Sequence, residues 1–460
     1  MKRDSIDFGT KNIPKMFGKL LIPTLLGMLS TATLTIVDGI FVGKGVGSDG
    51  LAAVNIVAPL FMITTGIGLM FGIGASIVAA IHLSHNKVKV ARINITQSLV
   101  VSSAIMLLLS ALVMCFRQET GYLFGSSDRL LPLVLEYMSW IAPFLVFNMI
   151  MNMGLFIIRL DGSPVYAMLC NVIPALINLV LCYLFVMQFG WGLKGSAMAF
   201  SIGVVSGGIM VFVYALFFAK TLDLYRLKMS RNSLALTARN IGYMVKLGSP
   251  ALLGELAIAV MMLIGNYVFM RTLGEDGVAA FSVACYCFPV VYMVGNAVAQ
   301  SSQPIISFNF GSGNKKRVTK TAFLSVGTAI FCGLTATLLT IYFGNPLVAL
   351  FLNPGCNAYQ IAIQGMPYFA MGFVFFSFNI AIVGYYQSIE MAKRSTIYTL
   401  LRGIIFMVIC FLTLPQLLGV KGIWLSVPCS EILTVIVIVC FYIRDFIVHH
   451  NKLVILQQTT

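Results

Sequence analysis

The chain has 460 residues, 59% of them hydrophobic and only 10% charged, which is too little charge to clothe a soluble fold of this size. Its net charge of +15 would suit a nucleic-acid partner, but the basic residues sit in short clusters between long apolar runs, and that placement excludes the reading. What remains is an all-α integral membrane protein, because only helices or closed barrels satisfy their backbone in lipid.

Taken in chain order, twelve apolar runs are each long enough to cross a hydrocarbon core of about 30 Å. They cover about 14–42, 50–82, 90–116, 130–157, 163–188, 195–219, 240–270, 277–308, 318–343, 358–388, 396–416 and 421–446. The first is too long for a signal-peptide core and lacks a small-residue cleavage site, so it is expected to stay as the first span. The N-terminal segment and the even-numbered loops carry 24 of the 30 Lys and Arg. Lys44, Arg117, Arg129, Lys194, Arg271 and Lys421 make up the rest. By the positive-inside rule both termini are expected in the cytoplasm, with the chain multi-pass in the inner membrane of a prokaryote. The ten cysteines make no zinc or redox spacing and read as apolar filler.

The chain also repeats itself. Shifted by 227 residues, 19–53 falls on 246–280 with 13 identities in 35, including Pro23/Pro250, Gly47/Gly274 and Asp49/Asp276. The same shift superposes Gly192, Lys194 and Gly195 on Gly419, Lys421 and Gly422. Two six-helix lobes of the same sense follow, a parallel repeat of the kind alternating-access transporters use. The expected organisation is an N-lobe over 1–219, a cytoplasmic linker over 220–239 with an amphipathic helix at the interface, and a C-lobe over 240–460.

Four acids fall inside the apolar runs: Asp38, Glu136, Glu255 and Glu431. A charged group at mid-helix costs on the order of 2.5–3.5 kcal/mol on insertion scales, so each invites a functional explanation. Thr24, Thr31, Thr35 and Asp38 share one helical stripe, hydroxyls leading to a carboxylate that can solvate a proton or cation. Pro23 frees a carbonyl at the start of the same helix and is a candidate hinge. The repeat erases this stripe to Ala251, Ile258, Met262 and Gly265, which confines the ion site to the N-lobe. Candidates for the substrate cavity are Asn55, Thr64 and Thr65 on the second helix, Glu255 on the seventh, and Asn296, Gln300, Ser301 and Gln303 on the eighth. Glu136 reads as a vestibule charge, and Glu431 as a packing partner for a basic group such as Arg402. GIGLMFGIG (66–74) lies inside a membrane helix after no strand and reads as close helix packing. No Walker, HExxH or GxSxG motif occurs, so neither ATP hydrolysis nor an enzyme is expected and no cofactor is implied.

Four stretches, VDGIFVGKGVGSDGLAA (37–53), IRLDGSPVYAM (158–168), QPIISFNFGSGNKKRV (303–318) and KGIWLSVPCSEIL (421–433), resemble the multidrug and toxic compound extrusion (MATE) transporters, most closely their DinF- and MepA-like branch. The resemblance implies that Asp38 works with an Asn on the fifth helix, which Asn178 matches, and with an Asp one turn later, where Cys182 stands instead. A thiol is a poor ligand for sodium, which favours a proton as the coupling ion over sodium. The expected function is a monomeric secondary-active antiporter that exports an amphiphilic, cationic compound across the lipid bilayer. The alternative is a flippase for a lipid-linked saccharide or other lipid, which would need a basic cavity where the recognised mid-membrane charges are acidic.

Overall fold

The computed structural model describes residues 7–458 apart from 220, 228 and 229. The side chains of 35, 36, 38, 39, 48, 51, 446 and 448–458 also lie outside the described residues. The twelve expected spans are all present as helices. They are α1 (Ile13–Gly45), α2 (Ser48–Ser84), α3 (Val88–Cys115), α4 (Leu131–Leu160), α5 (Pro164–Gln188) and α6 (Gly192–Phe218). In the second half they are α7 (231–273), α8 (275–311), α9 (Lys315–Tyr342), α10 (357–388), α11 (Ala392–Leu418) and α12 (Val420–Gln458). Helices α7 and α8 run on from one another except at Gly274, where φ is 67°. Helix α10 is bent by 41° between its segments Asn357–Ala370 and Gly372–Ser388.

Local chemistry sets the helix ends. Asn12 caps α1, accepting from the Lys15 amide at 3.4 Å, and Pro14 occupies the first turn, where its missing N–H costs nothing. The repeat seen in the sequence is also written in the backbone. Positive φ occurs at Gly47 (90°) and Gly274 (67°), at Asn86 (58°) and Gly313 (74°), and at Gly192 (60°) and Gly419 (59°). Each pair is 227 residues apart, so equivalent turns of the two halves take the same left-handed conformation. Three helices carry π-helical turns, at Tyr183–Gln188, Tyr214–Phe218 and Leu401–Ile405.

The chain forms two compact units. The first comprises Met1–Ala259, Asn296–Ser325 and Gly384–Lys393, so it takes in the start of α7, the end of α8 and the α10–α11 turn. Its core lies where α2 crosses α4, around Phe71, Met149, Met153 and Phe156. On the Lys/Arg-rich side, Gly74 sits directly on the Met244 backbone and Gly248 on the Met70 backbone, so α2 and α7 touch main chain to main chain. A β-carbon at either glycine would overlap a carbonyl oxygen. Gln387 donates to the Leu247 carbonyl at 3.0 Å, Ser307 to Ser388 O at 3.0 Å, and the Tyr243 hydroxyl to Glu390 at 2.7 Å.

Two further ties lie on that face. Arg317 donates to Lys11 O (2.7 Å), Phe8 O (3.1 Å) and Asn309 Oδ1 (2.9 Å), strapping the segment before α1 to the α8–α9 turn. Within the strap, the Thr10 hydroxyl bonded to Asp7 holds that carboxyl below its usual range. The segment 221–227 is docked without regular secondary structure. Asp161 accepts from the Thr221 and Leu222 amides, both at 3.0 Å, and from the Tyr214 hydroxyl at 2.7 Å. Arg92 donates to Thr221 O at 2.8 Å and pairs with Asp223 at 3.1 Å. The helix expected in the linker begins only at Arg231, as the start of α7.

The second unit comprises Val260–Gly295, Val326–Val383 and Arg394–Thr460. Its core is aromatic. Trp424 meets Phe269 edge-on at 4.9 Å, Phe269 stacks on Phe281 at 4.5 Å, and Gly365 leaves room for the indole.

Candidate transport site

Helix α1 carries the polar stripe. Thr24 is buried and its hydroxyl donates to Leu20 O at 2.8 Å, while Thr31 donates to Gly27 O at 2.9 Å. Each hydroxyl proton is thus used on the preceding turn. Pro23 lies inside the helix. Thr35 and Asp38 are on the helical backbone of α1, but their side chains lie outside the described residues.

Helix α1 packs along α5 in parallel. Gly27 meets Met168 and Asn171, and Gly45 meets Val186, so the backbone of residue 38 falls level with residues 178–182. Asn178 is in that stretch, and its Oδ1 is buried with no hydrogen-bond donor among the described residues. An orphaned buried acceptor is costly, and a proton-bearing or cationic guest would relieve it. Cys182, one turn on, is fully buried. The position equivalent to Asp38 in the second half is Gly265, packed so closely under the Phe281 ring that any side chain there would have to displace the ring.

The other candidates are scattered. Asn55 is exposed. Thr64 is fully buried and donates to Leu60 O at 2.8 Å. Glu255 is half-buried beside Gly66, Asn296 and Thr65 are half-buried, and Glu136 is exposed. Ser301 is buried and bonded to Ala297 O. Gln300 and Gln303 belong to the packed Lys/Arg-rich side of the first unit. Gln303 donates to Ile73 O at 3.5 Å, and Gln300 accepts from Arg159 at 2.8 Å.

Arg159 is the residue that reading the sequence missed. Counted there among the basic loop residues, it is 2% exposed, with its guanidinium 5.1 Å from the Phe156 ring centroid. Among the described residues no carboxylate lies within 4.0 Å of it. The available signal was its place in the last turn of an apolar helix, followed by Leu160. Arg402 was likewise counted with the basic loops and is likewise buried, but it has a counter-charge. Its Nε is 3.2 Å from Glu431, which is 1% exposed, and its guanidinium lies 4.5 Å from the Phe376 ring. Asn379 donates to Glu431 Oε2 at 2.7 Å and to its carbonyl at 3.0 Å. The pairing expected for Glu431 is therefore present in the second unit.

Comparison with known proteins accords with this architecture. The MatE family model matches residues 23–184 and again 250–412, two copies whose starts are 227 residues apart. The FAD transporter of Shewanella oneidensis is 26% identical over 454 residues, with 94% of each chain covered. The multidrug export protein MepA of Staphylococcus aureus is 22% identical over 441 residues, with 92% of each covered. Among solved structures, the outward-facing conformation of a multidrug resistance MATE family transporter superposes with a TM-score of 0.86 at 21% identity, covering 95% of this chain and 97% of the other. A Pyrococcus furiosus transporter of the same superfamily, described as having a binding pocket of reverse polarity, gives the same TM-score and identity over 95% and 96%. Two family matches spanning most of the chain, on a twelve-helix fold with an internal repeat, establish that this chain belongs to the MatE family and is a MepA-like MATE transporter rather than an enzyme.

Proposed function

We propose that the chain is a secondary-active antiporter exporting amphiphilic compounds by alternating access of the lobes 1–219 and 240–460, joined by the linker 220–239. A proton is the first choice of coupling ion and sodium the second. The observation that carries this reading is the buried Asn178 Oδ1, without a donor among the described residues, at the level of residue 38 on the neighbouring helix. A carboxylate there can be neutral in one state and charged in the other, with Asn178 and the Thr24–Thr31–Thr35 stripe as its polar surroundings. Each proton re-entering at 100 mV contributes about 2.3 kcal/mol, enough for a gradient of about fiftyfold.

Asp38→Asn is expected to bind substrate yet fail to transport it. The check is efflux from everted vesicles or proteoliposomes after a pH jump, and equal efflux by wild type and variant would sink the proposal.

Two substrate classes are in play. An amphiphilic cation is supported by Glu255 and Glu136 within the spans. An anionic dinucleotide, such as the relative from Shewanella oneidensis is named for, is favoured by Arg159, a buried guanidinium with no carboxylate partner among the described residues.

A further inference from the structure

We infer that Arg159 is the receptor for an anionic phosphate group on the transported compound, with Gln300 as its neutral stand-in in the conformation seen here. This rests on the second of the two substrate readings above. Three observations lead to it.

The first is charge. Arg159 is almost fully buried and remains protonated, and the only hydrogen bond it makes among the described residues is NH1 to Gln300 Oε1 at 2.8 Å. Burying an uncompensated guanidinium is expensive, and one neutral acceptor with the Phe156 ring only partly offsets that. The contrast within the same molecule is Arg402, which is buried to a similar degree and held by Glu431.

The second is that no acid among the described residues supplies the missing charge. Asp161, two residues away, already accepts from Tyr214, Thr221 and Leu222 and is committed to the linker.

The third is position. Arg159 ends α4 on the packed side of the first unit, where Gln300 and Gln303 of α8 meet α2 and α4. Residues from both halves of the sequence close this side, so alternating access requires it to part. Parting removes Gln300 and leaves a planar fork of donors facing the opening. A fork of this kind pairs with a phosphate through two parallel hydrogen bonds, whereas a lysine offers only a point charge.

The test compares two flavins that differ by one phosphate group alone. Purified full-length protein in detergent is titrated with riboflavin 5′-phosphate (FMN) and with riboflavin, following quenching of flavin fluorescence. Wild type is expected to favour FMN by tenfold or more. Arg159→Gln should bring the FMN/riboflavin ratio close to one, and Arg159→Lys should leave an intermediate ratio. Arg317→Gln, a change to a basic residue of the N-terminal strap, should leave the ratio as in wild type. The inference is overturned if wild type shows no preference for FMN, if the preference survives in Arg159→Gln, or if both flavins weaken together. Should Arg159→Gln fail to fold, an unaltered ratio in Arg159→Lys overturns it equally. Binding needs no ion gradient, so a failure of antiport in the pH-jump assay leaves this measurement intact. A failure here leaves antiport of cations standing.

Discussion

Replacing Glu431 by Gln removes the charge that Arg402 faces but keeps an oxygen at the same place. At 3.2 Å the pair attracts by about 5 kcal/mol for an effective dielectric of about 20. Gln can still accept from Arg402 and Asn379, so not all of that is lost. The guanidinium is then left buried with neutral partners, and removing one member of a buried pair typically costs about 3–5 kcal/mol. For a chain of this length the unfolding entropy is about 1 kcal/mol per kelvin, so the melting temperature should fall by about 3–5 °C. The assay is thermal melting in detergent, read by fluorescence-detected size exclusion. It should include Arg402→Met and the double variant Arg402→Met/Glu431→Leu. The single variants should both be destabilised, and the double variant should recover most of the loss, because two apolar side chains leave no buried charge. A Glu431→Gln protein that melts within 1 °C of wild type, or a double variant whose loss is the sum of the singles, would refute the argument.

Two other changes probe the Lys/Arg-rich side. Asp161→Ala removes the acceptor for two amides and a tyrosine hydroxyl, a loss of about 1–3 kcal/mol for the docked linker. Limited tryptic cleavage after Arg226 should then be several times faster. Unchanged cleavage would mean that Arg92 and Thr96 hold the segment without it. Gly248→Val drives a side chain into the Met70 backbone and should disfavour the closed packing by about 1–3 kcal/mol, a five- to 150-fold shift in population. Maleimide labelling of a Ser307→Cys reporter should speed up accordingly, and an unaltered rate would show that the packing tolerates the bulk.

The spans were legible because a hydrocarbon thickness demands about twenty apolar residues whatever the neighbours are. The repeat was legible because turn glycines at 47 and 274, and at 192 and 419, hold positive φ and so cannot be replaced cheaply. Pairing of Glu431 with Arg402 could be anticipated because a buried acid requires a partner. Arg159 was hidden by a counting rule. A basic residue near a helix end looks like a loop residue, and only packing shows that α8 covers it. The two faces of Gln300 posed the same problem, since a polar residue that lines a cavity and one that seals a seam have the same letter. The docked linker was equally invisible, because Asp161 in LDGS reads as an ordinary turn until its partners fifty and sixty residues away are known.

Seen as the product of a duplication, the Arg402–Glu431–Asn379 cluster records how the two copies parted ways. The 227-residue offset sets Asn379 against Asn152 but Arg402 against Ala175 and Glu431 against Val204. One copy holds a threonine stripe ending in Asp38, and the other holds an ion pair. Asp38, Arg402 and Glu431 each lack a charged counterpart in the other copy. Acquiring either Arg402 or Glu431 alone would have incurred the penalty worked out above, so the shortest tolerable route runs through a neutral intermediate or a near-simultaneous gain. A transporter whose halves had stayed identical would carry two equivalent ion sites or none. The division of labour between copies is thus a matter of ancestry as much as of mechanism, and hybrid chains with one half duplicated are its natural descendants to build.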